Sequence, residues 1–247
     1  MTLGSRAVLS LDGVTDLWDK LFGAQPDPPL LLVAITGLAA LVVVLTRLPW
    51  RIARNAITIA HEGGHALIAL LTGRKLRGIR LHSDTSGLTL SAGRPTGLGM
   101  VFTLLAGYVA PSLIGLAGAW LLGGNRITLL LWVAIALLLA MLVMIRNVFG
   151  IISLLVTGGV VFCVSWFAPA DVQAAFAYAG VWFLLIGGVR PVGELQTLRS
   201  RGRLPDSDAD QLAGLTRVPG LFWVGFFGLV NLAALIAGAA LLASPFI

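Results

Sequence analysis

Five consecutive residues, His61-Glu62-Gly63-Gly64-His65, are the part of this 247-residue chain best suited to chemistry. Two histidines four apart project from one face of a helix. Both imidazoles can then reach one Zn²⁺, and the Glu between them can take a proton from a water on that ion. The flanking residues, from Ile57 to Leu71, are largely apolar. A carboxylate in the middle of an apolar membrane helix costs on the order of 2.5–3.5 kcal/mol or more and is normally paired or functional. A polar cluster between helices would explain a buried Glu62 without requiring two histidines at ligand spacing around it.

The elements that must hold these residues are membrane spans. Hydrophobic residues make up 57% of the chain and charged residues 11%, against roughly 45–50% and ~25% in an ordinary soluble domain. Together with a mean hydropathy of +0.94, this excludes a water-soluble globular enzyme. Cys163 is the single cysteine, so neither an intrachain disulfide nor a Cys-based zinc knuckle can form. The net charge of +6 comes without an aromatic-interleaved basic patch. Nucleic acid is therefore not an expected partner, and the basic residues lie in short stretches between apolar runs, where topology places them.

The fold expected is an all-α polytopic membrane protein with about seven transmembrane helices, each near the ~20 residues a bilayer core requires. They fall at about 30–49, 52–72, 97–122, 127–145, 148–169, 173–189 and 219–243. Residues 1–28 read as an amphipathic cytosolic segment rather than a secretory signal, and residues 29–247 as one membrane-embedded domain. Between the second and third spans, Ile79, Leu81, Leu88 and Leu90 alternate with polar residues around Asp84-Thr85-Ser86-Gly87, which predicts a small β-hairpin. With seven crossings, thirteen Lys/Arg fall on the side of the N-terminus. Arg47, Arg51, Arg54 and Arg126 fall on the other. That asymmetry predicts a multi-pass protein of the cell membrane with a cytosolic N-terminus and an exterior C-terminus. The short linker 47–54, with three Arg on the disfavoured side, fits it worst.

The order of an HExxH helix, a polar hairpin over Gly78 to Ala92, and a helix carrying Ala106-Gly107-Tyr108-Val109-Ala110-Pro111-Ser112 resembles the site-2 protease family of intramembrane zinc metallopeptidases. Arg146-Asn147-Val148-Phe149-Gly150 and Ser207-Asp208-Ala209-Asp210 are similar to a divergent subgroup of it. The resemblance implies that His61 and His65 bind zinc with a carboxylate and that Glu62 activates water. The family's usual third ligand is an Asp eight residues after an Asn, and counting from Asn147 that place holds Leu155. The remaining donors are Asp208, Glu194, Asp206, Asp210, His82 and Asp84. The resemblance favours Asp208, then Glu194, although Ser207 or Asp208 would also make a helix N-cap. Asn147 either binds substrate backbone or caps a helix, and Tyr108 is expected to line the site with Pro111 and Ser112. The function implied is zinc-dependent hydrolysis of peptide bonds in or next to the membrane, in a transmembrane segment of another protein. The alternative is an inactive membrane chaperone or a small ion transporter using the same His/Glu cluster.

Overall fold

The computed structural model describes residues 23–202 and 206–244. Most of the amphipathic segment expected over 1–28 lies outside them. Nine helices and one two-stranded sheet are present among the described residues: α1 (Leu30–Leu45), α2 (Arg47–Leu71), β1 (Lys75–Leu81), β2 (Gly87–Ala92), α3 (Leu98–Gly123), α4 (Ile127–Met144), α5 (Val148–Phe167), α6 (Ala170–Gly187), α7 (Arg190–Ser200), α8 (Asp208–Thr216) and α9 (Gly220–Ala243). Helices α3, α4, α5 and α9, and α6 running on into α7, are each long and apolar enough to cross a bilayer. All seven expected helices form.

The first two helices pass for one bent span only when taken together. Only Thr46, in extended conformation, separates α1 from α2, and their axes are bent by 102°. The cause is Pro49. In a continuous helix it would remove a hydrogen bond to the carbonyl of Leu45 and clash with it, whereas in the first turn of a new helix its missing N–H goes unnoticed. The 16 residues of α1 reach about 24 Å at 1.5 Å per residue, most of a hydrocarbon core.

Helix α1 starts at the end of the bundle opposite the hairpin. The backbone N–H of Gln25 donates to Asn125 O at 2.9 Å, its side chain bonds Thr128, and Asn125 Nδ2 donates to Asp27 Oδ1 at 2.5 Å. Asn125 follows the last turn of α3, whereas the hairpin precedes its first, so the length of α3 separates them. Leu241, near the end of α9, lies against Gly123 at this same end. The seven expected helices thus supply five spans, or six with α1 and α2 taken as one, and the start of α1 lies away from the hairpin. It also bears on the misfit at 47–54, because these residues are helix rather than a linker between two spans. They form the first turns of α2, where Trp50 is buried and Arg54 pairs with Glu194.

Strands β1 and β2 pair antiparallel from Lys75↔Ala92 to Leu81↔Gly87. The turn is closed by His82 N to Ser86 O and by Asp84 Oδ1, which accepts from Ser86 N and Oγ. Those two bonds hold the Asp84 carboxyl below its usual range. Ile79 and Leu81 are buried among Ile59, Ala66, Met141, Ile145 and Leu154, which supports a hairpin too small to be stable alone in water. The outer edge of β1 is closed by the linker between α4 and α5. Arg146 N donates to Ile79 O, while the side-chain amide of Asn147 accepts from Leu81 N at 3.2 Å and donates to Leu81 O at 2.6 Å. Asn147 thus stands in for a strand residue, and its side chain makes no cap bond to α5. Helices α2 and α3 approach closely at Gly64, whose missing Cβ leaves room for Ala106 and Ala110, the small-residue packing typical of membrane helices.

Candidate metal centre

The helical repeat of α2 puts His61 and His65 one turn apart on the face packed against α3. Their Nε2 atoms are 3.0 Å apart. His65 Nδ1 lies 2.7 Å from Thr103 O. A carbonyl can only accept, so this nitrogen carries the proton, and in the neutral ring Nε2 presents a lone pair toward His61. Gly107 makes the arrangement possible. A Cβ at that position would sit 2.7 Å from His61 Cε1 and closer still to the His65 ring. Tyr108 stands edge-on to His61, centroids 4.9 Å apart, and stacks on Phe227 of α9. It therefore stands beside the two histidines.

The third group arrives from the other end of the sequence. Asp208 Oδ2 is 3.4 Å from His61 Nε2 and 3.3 Å from His65 Nε2. Asp208 can face the histidines because another residue caps its helix: Ser207 Oγ accepts from Asp210 N. Ser207 also donates to Asp210 Oδ2 at 2.5 Å, and Arg199 Nε reaches both Asp210 oxygens at 2.9 and 3.0 Å. Ala209 and Leu212 are buried with Leu104, Val192, Leu195 and Phe227, so α8 is folded in between α3 and α9.

Within the described residues, His61, His65 and Asp208 are the group of His, Cys, Asp and Glu side chains that could hold a metal ion. Three separations of 3.0, 3.3 and 3.4 Å compare with about 3.3–3.4 Å for the edge of a tetrahedron whose ligands lie ~2.0–2.1 Å from its centre. Converging lone pairs repel one another unless a cation lies between them, so the donor set fits such an ion. The other sequence candidates are elsewhere. Glu194 accepts from Arg190 Nε at 2.9 Å and Trp50 Nε1 at 3.1 Å and pairs with Arg54 at 3.4 Å. His82 and Asp84 stay in the hairpin turn, Asp206 is exposed, and Asp210 binds Arg199.

The model of the Peptidase M50B-like family matches residues 34–238. The chain belongs to this family. No curated protein and no solved structure matches it. The match makes the chain a multi-pass member of a membrane peptidase family, and its span covers the three clustered side chains together with Glu62 and the hairpin.

Asp210, one of the spare donors in the sequence, fastens the turn that presents Asp208 in this Peptidase M50B-like chain. Asp210→Asn or Arg199→Gln is expected to weaken metal binding by about 10–100-fold, as loss of an outer-shell partner does. The Asp210 carboxyl is held low by its hydrogen bonds from Arg199. A depressed carboxyl contributes stability above its unfolded pKa and loses it as pH falls through the folded one. The clip therefore holds at neutral pH and releases in acid. Metal titration of the variants checks the first point, and unaltered affinity in both would dismiss the clip.

Proposed function

We propose that this protein is an intramembrane zinc metalloprotease that hydrolyses peptide bonds within or next to the membrane, in transmembrane segments of other membrane proteins. The observation that carries the reading is the convergence of His61, His65 and Asp208, with the buried Glu62 next to His61 on the same helix. Two nitrogen donors and one oxygen donor suit zinc and leave a fourth position for water or substrate. Zn²⁺ bound there supplies Lewis acidity that polarises a carbonyl and acidifies a water. Glu62 takes the proton onto its carboxylate and returns it to the leaving amine. Thr103 fixes the tautomer of His65, and Tyr108 shields one side of His61.

A helical substrate must unwind before its amides are accessible. The geometry favours the edge of β2 as the place where an extended segment would pair, since the edge of β1 is closed by Arg146 and Asn147. Asn147 is accordingly assigned to holding the hairpin rather than to binding substrate. An ion carrier or chaperone would need no base beside the three donors. Zinc per chain in the purified protein, measured with cleavage by the unaltered protein and by Glu62→Gln, tests the reading. Substoichiometric zinc, or equal cleavage by both, would defeat it.

The same reading sets the orientation. With α1 and α2 as one crossing, Arg126 lies at the end where α1 starts, and the other thirteen described Lys/Arg lie on the hairpin side or in α2 and α7, which border it. Positive-inside bias then makes the hairpin side cytosolic and the opposite end, with Ala24 and Ser244, exterior. After Cys163→Ser, an impermeant thiol reagent applied to intact cells should label Ala24→Cys and Ser244→Cys but not Asp84→Cys. Labelling of Asp84→Cys alone would invert the assignment.

A further inference from the structure

Glu62 is held by the hairpin. Thr89 Oγ1 donates to Glu62 Oε2 at 2.6 Å, the one hydrogen bond to that carboxylate among the described residues, with the Glu62 carbonyl a more distant acceptor at 3.2 Å. Gly87, two residues earlier and so on the same face of β2, lies against it, and a Cβ there would sit 2.6 Å from Glu62 Cδ. The opposite face carries Leu88 and Leu90, which are exposed. The hairpin is in turn tied down twice. Thr58, one turn before Glu62 on α2, donates its hydroxyl to Thr85 O at 2.8 Å, and Asn147 bonds both backbone groups of Leu81, paired to Gly87 in the register.

From this geometry we infer that Thr89 is a positioning residue for Glu62, with Gly87 as the gap that lets the carboxylate lie against β2. The inference rests on the reading of Glu62 as the proton acceptor. The terminal torsion of a Glu side chain is broad, so a carboxylate without a partner samples orientations that do not face the reacting atoms. A hydroxyl at 2.6 Å on an anchored strand selects one of them. It does so from the strand whose free edge an extended substrate would use. Substrate pairing and base orientation are therefore coupled through three consecutive residues, Gly87-Leu88-Thr89.

Thr89→Val keeps the shape and the β-branch while removing the donor, and Thr89→Ser restores the donor. Fluorophore- and quencher-labelled single-span peptides in detergent micelles serve as substrates, the one that the unaltered protein cleaves fastest being used throughout. Thr89→Val is expected to lower kcat by about 10–100-fold with little change in KM, the scale of a small misplacement of a reacting group. Zinc content should not change, and Thr89→Ser should recover most of the rate. A merely structural threonine would not split kcat from KM, nor would serine rescue it. Full activity in Thr89→Val, or a serine variant no better than valine, overturns the inference.

A second readout needs no turnover. Amide exchange of β2 is measured in Thr89→Val, in Glu62→Met and in the double variant. Each single change should raise the opening of β2 by roughly tenfold, the worth of a hydrogen bond to a charged group, and the double change should add little more. Multiplicative effects would show that the two side chains are uncoupled and end the proposal. Equal cleavage by Glu62→Gln alongside coupled exchange would instead remove the base assignment and leave the contact standing.

Discussion

Asp208→Ala, His61→Ala and His65→Ala should each leave the purified protein without zinc, three separate changes with one outcome. Two remaining donors cannot hold a catalytic ion, so each loss should exceed the 10–100-fold that an outer-shell partner costs. Asp208 is the informative member, because it lies more than 140 residues from His65 and comes from a different helix. Gly107→Ala should reach the same endpoint without removing a donor. Its methyl group would occupy space now filled by the His61 and His65 rings, and an imidazole cannot yield by changing one end rotamer. Glu194→Ala should keep its zinc, since Glu194 is bound to Arg54, Arg190 and Trp50. Metal analysis of monodisperse protein, with thermal unfolding as a check on folding, decides the matter. Zinc retained in Asp208→Ala and lost in Glu194→Ala would reassign the third ligand.

Glu62→Gln should do the reverse and keep the metal while losing hydrolysis. Glutamine matches glutamate in size and still accepts a hydrogen bond from Thr89, so the packing against Gly87 is preserved and the three donors are untouched. What disappears is the ability to take and return a proton, a contribution of about 10²–10⁴-fold in rate. The comparison isolates chemistry from architecture, because the buried position of Glu62 makes most other substitutions disruptive. If zinc left with the carboxylate, Glu62 would be a ligand and the division of labour would have to be redrawn.

What could be read along the chain is whatever depends on near neighbours. The HExxH spacing is one turn of helix, so the sequence alone places His61, Glu62 and His65 together. Apolar runs locate α3, α4, α5, α6 and α9 to within a few residues because a bilayer demands ~20 apolar residues whatever surrounds them. The alternation on either side of Asp84-Thr85-Ser86-Gly87 likewise locates the hairpin. Asp208 was favoured only through a resemblance. Nothing local says that α8 folds back between α3 and α9, or that Ser207 takes the cap and frees its neighbour.

The rest was decided by tertiary contacts. Whether α1 and α2 make two crossings or one depends on a 102° bend and on Gln25 and Asp27 meeting Asn125 and Thr128 a hundred residues away. Charge counting, which presumes the number of crossings, could not supply it. Asn147 looks the same in sequence whether it caps a helix or completes the edge of a strand, and only its bonds to Leu81 tell these apart. Thr89 and Gly87 carry no motif at all. A hydroxyl and an absent side chain acquire roles only when the hairpin is laid against α2, because hydrogen bonding and close packing act over a few ångströms of space and are indifferent to separation along the chain.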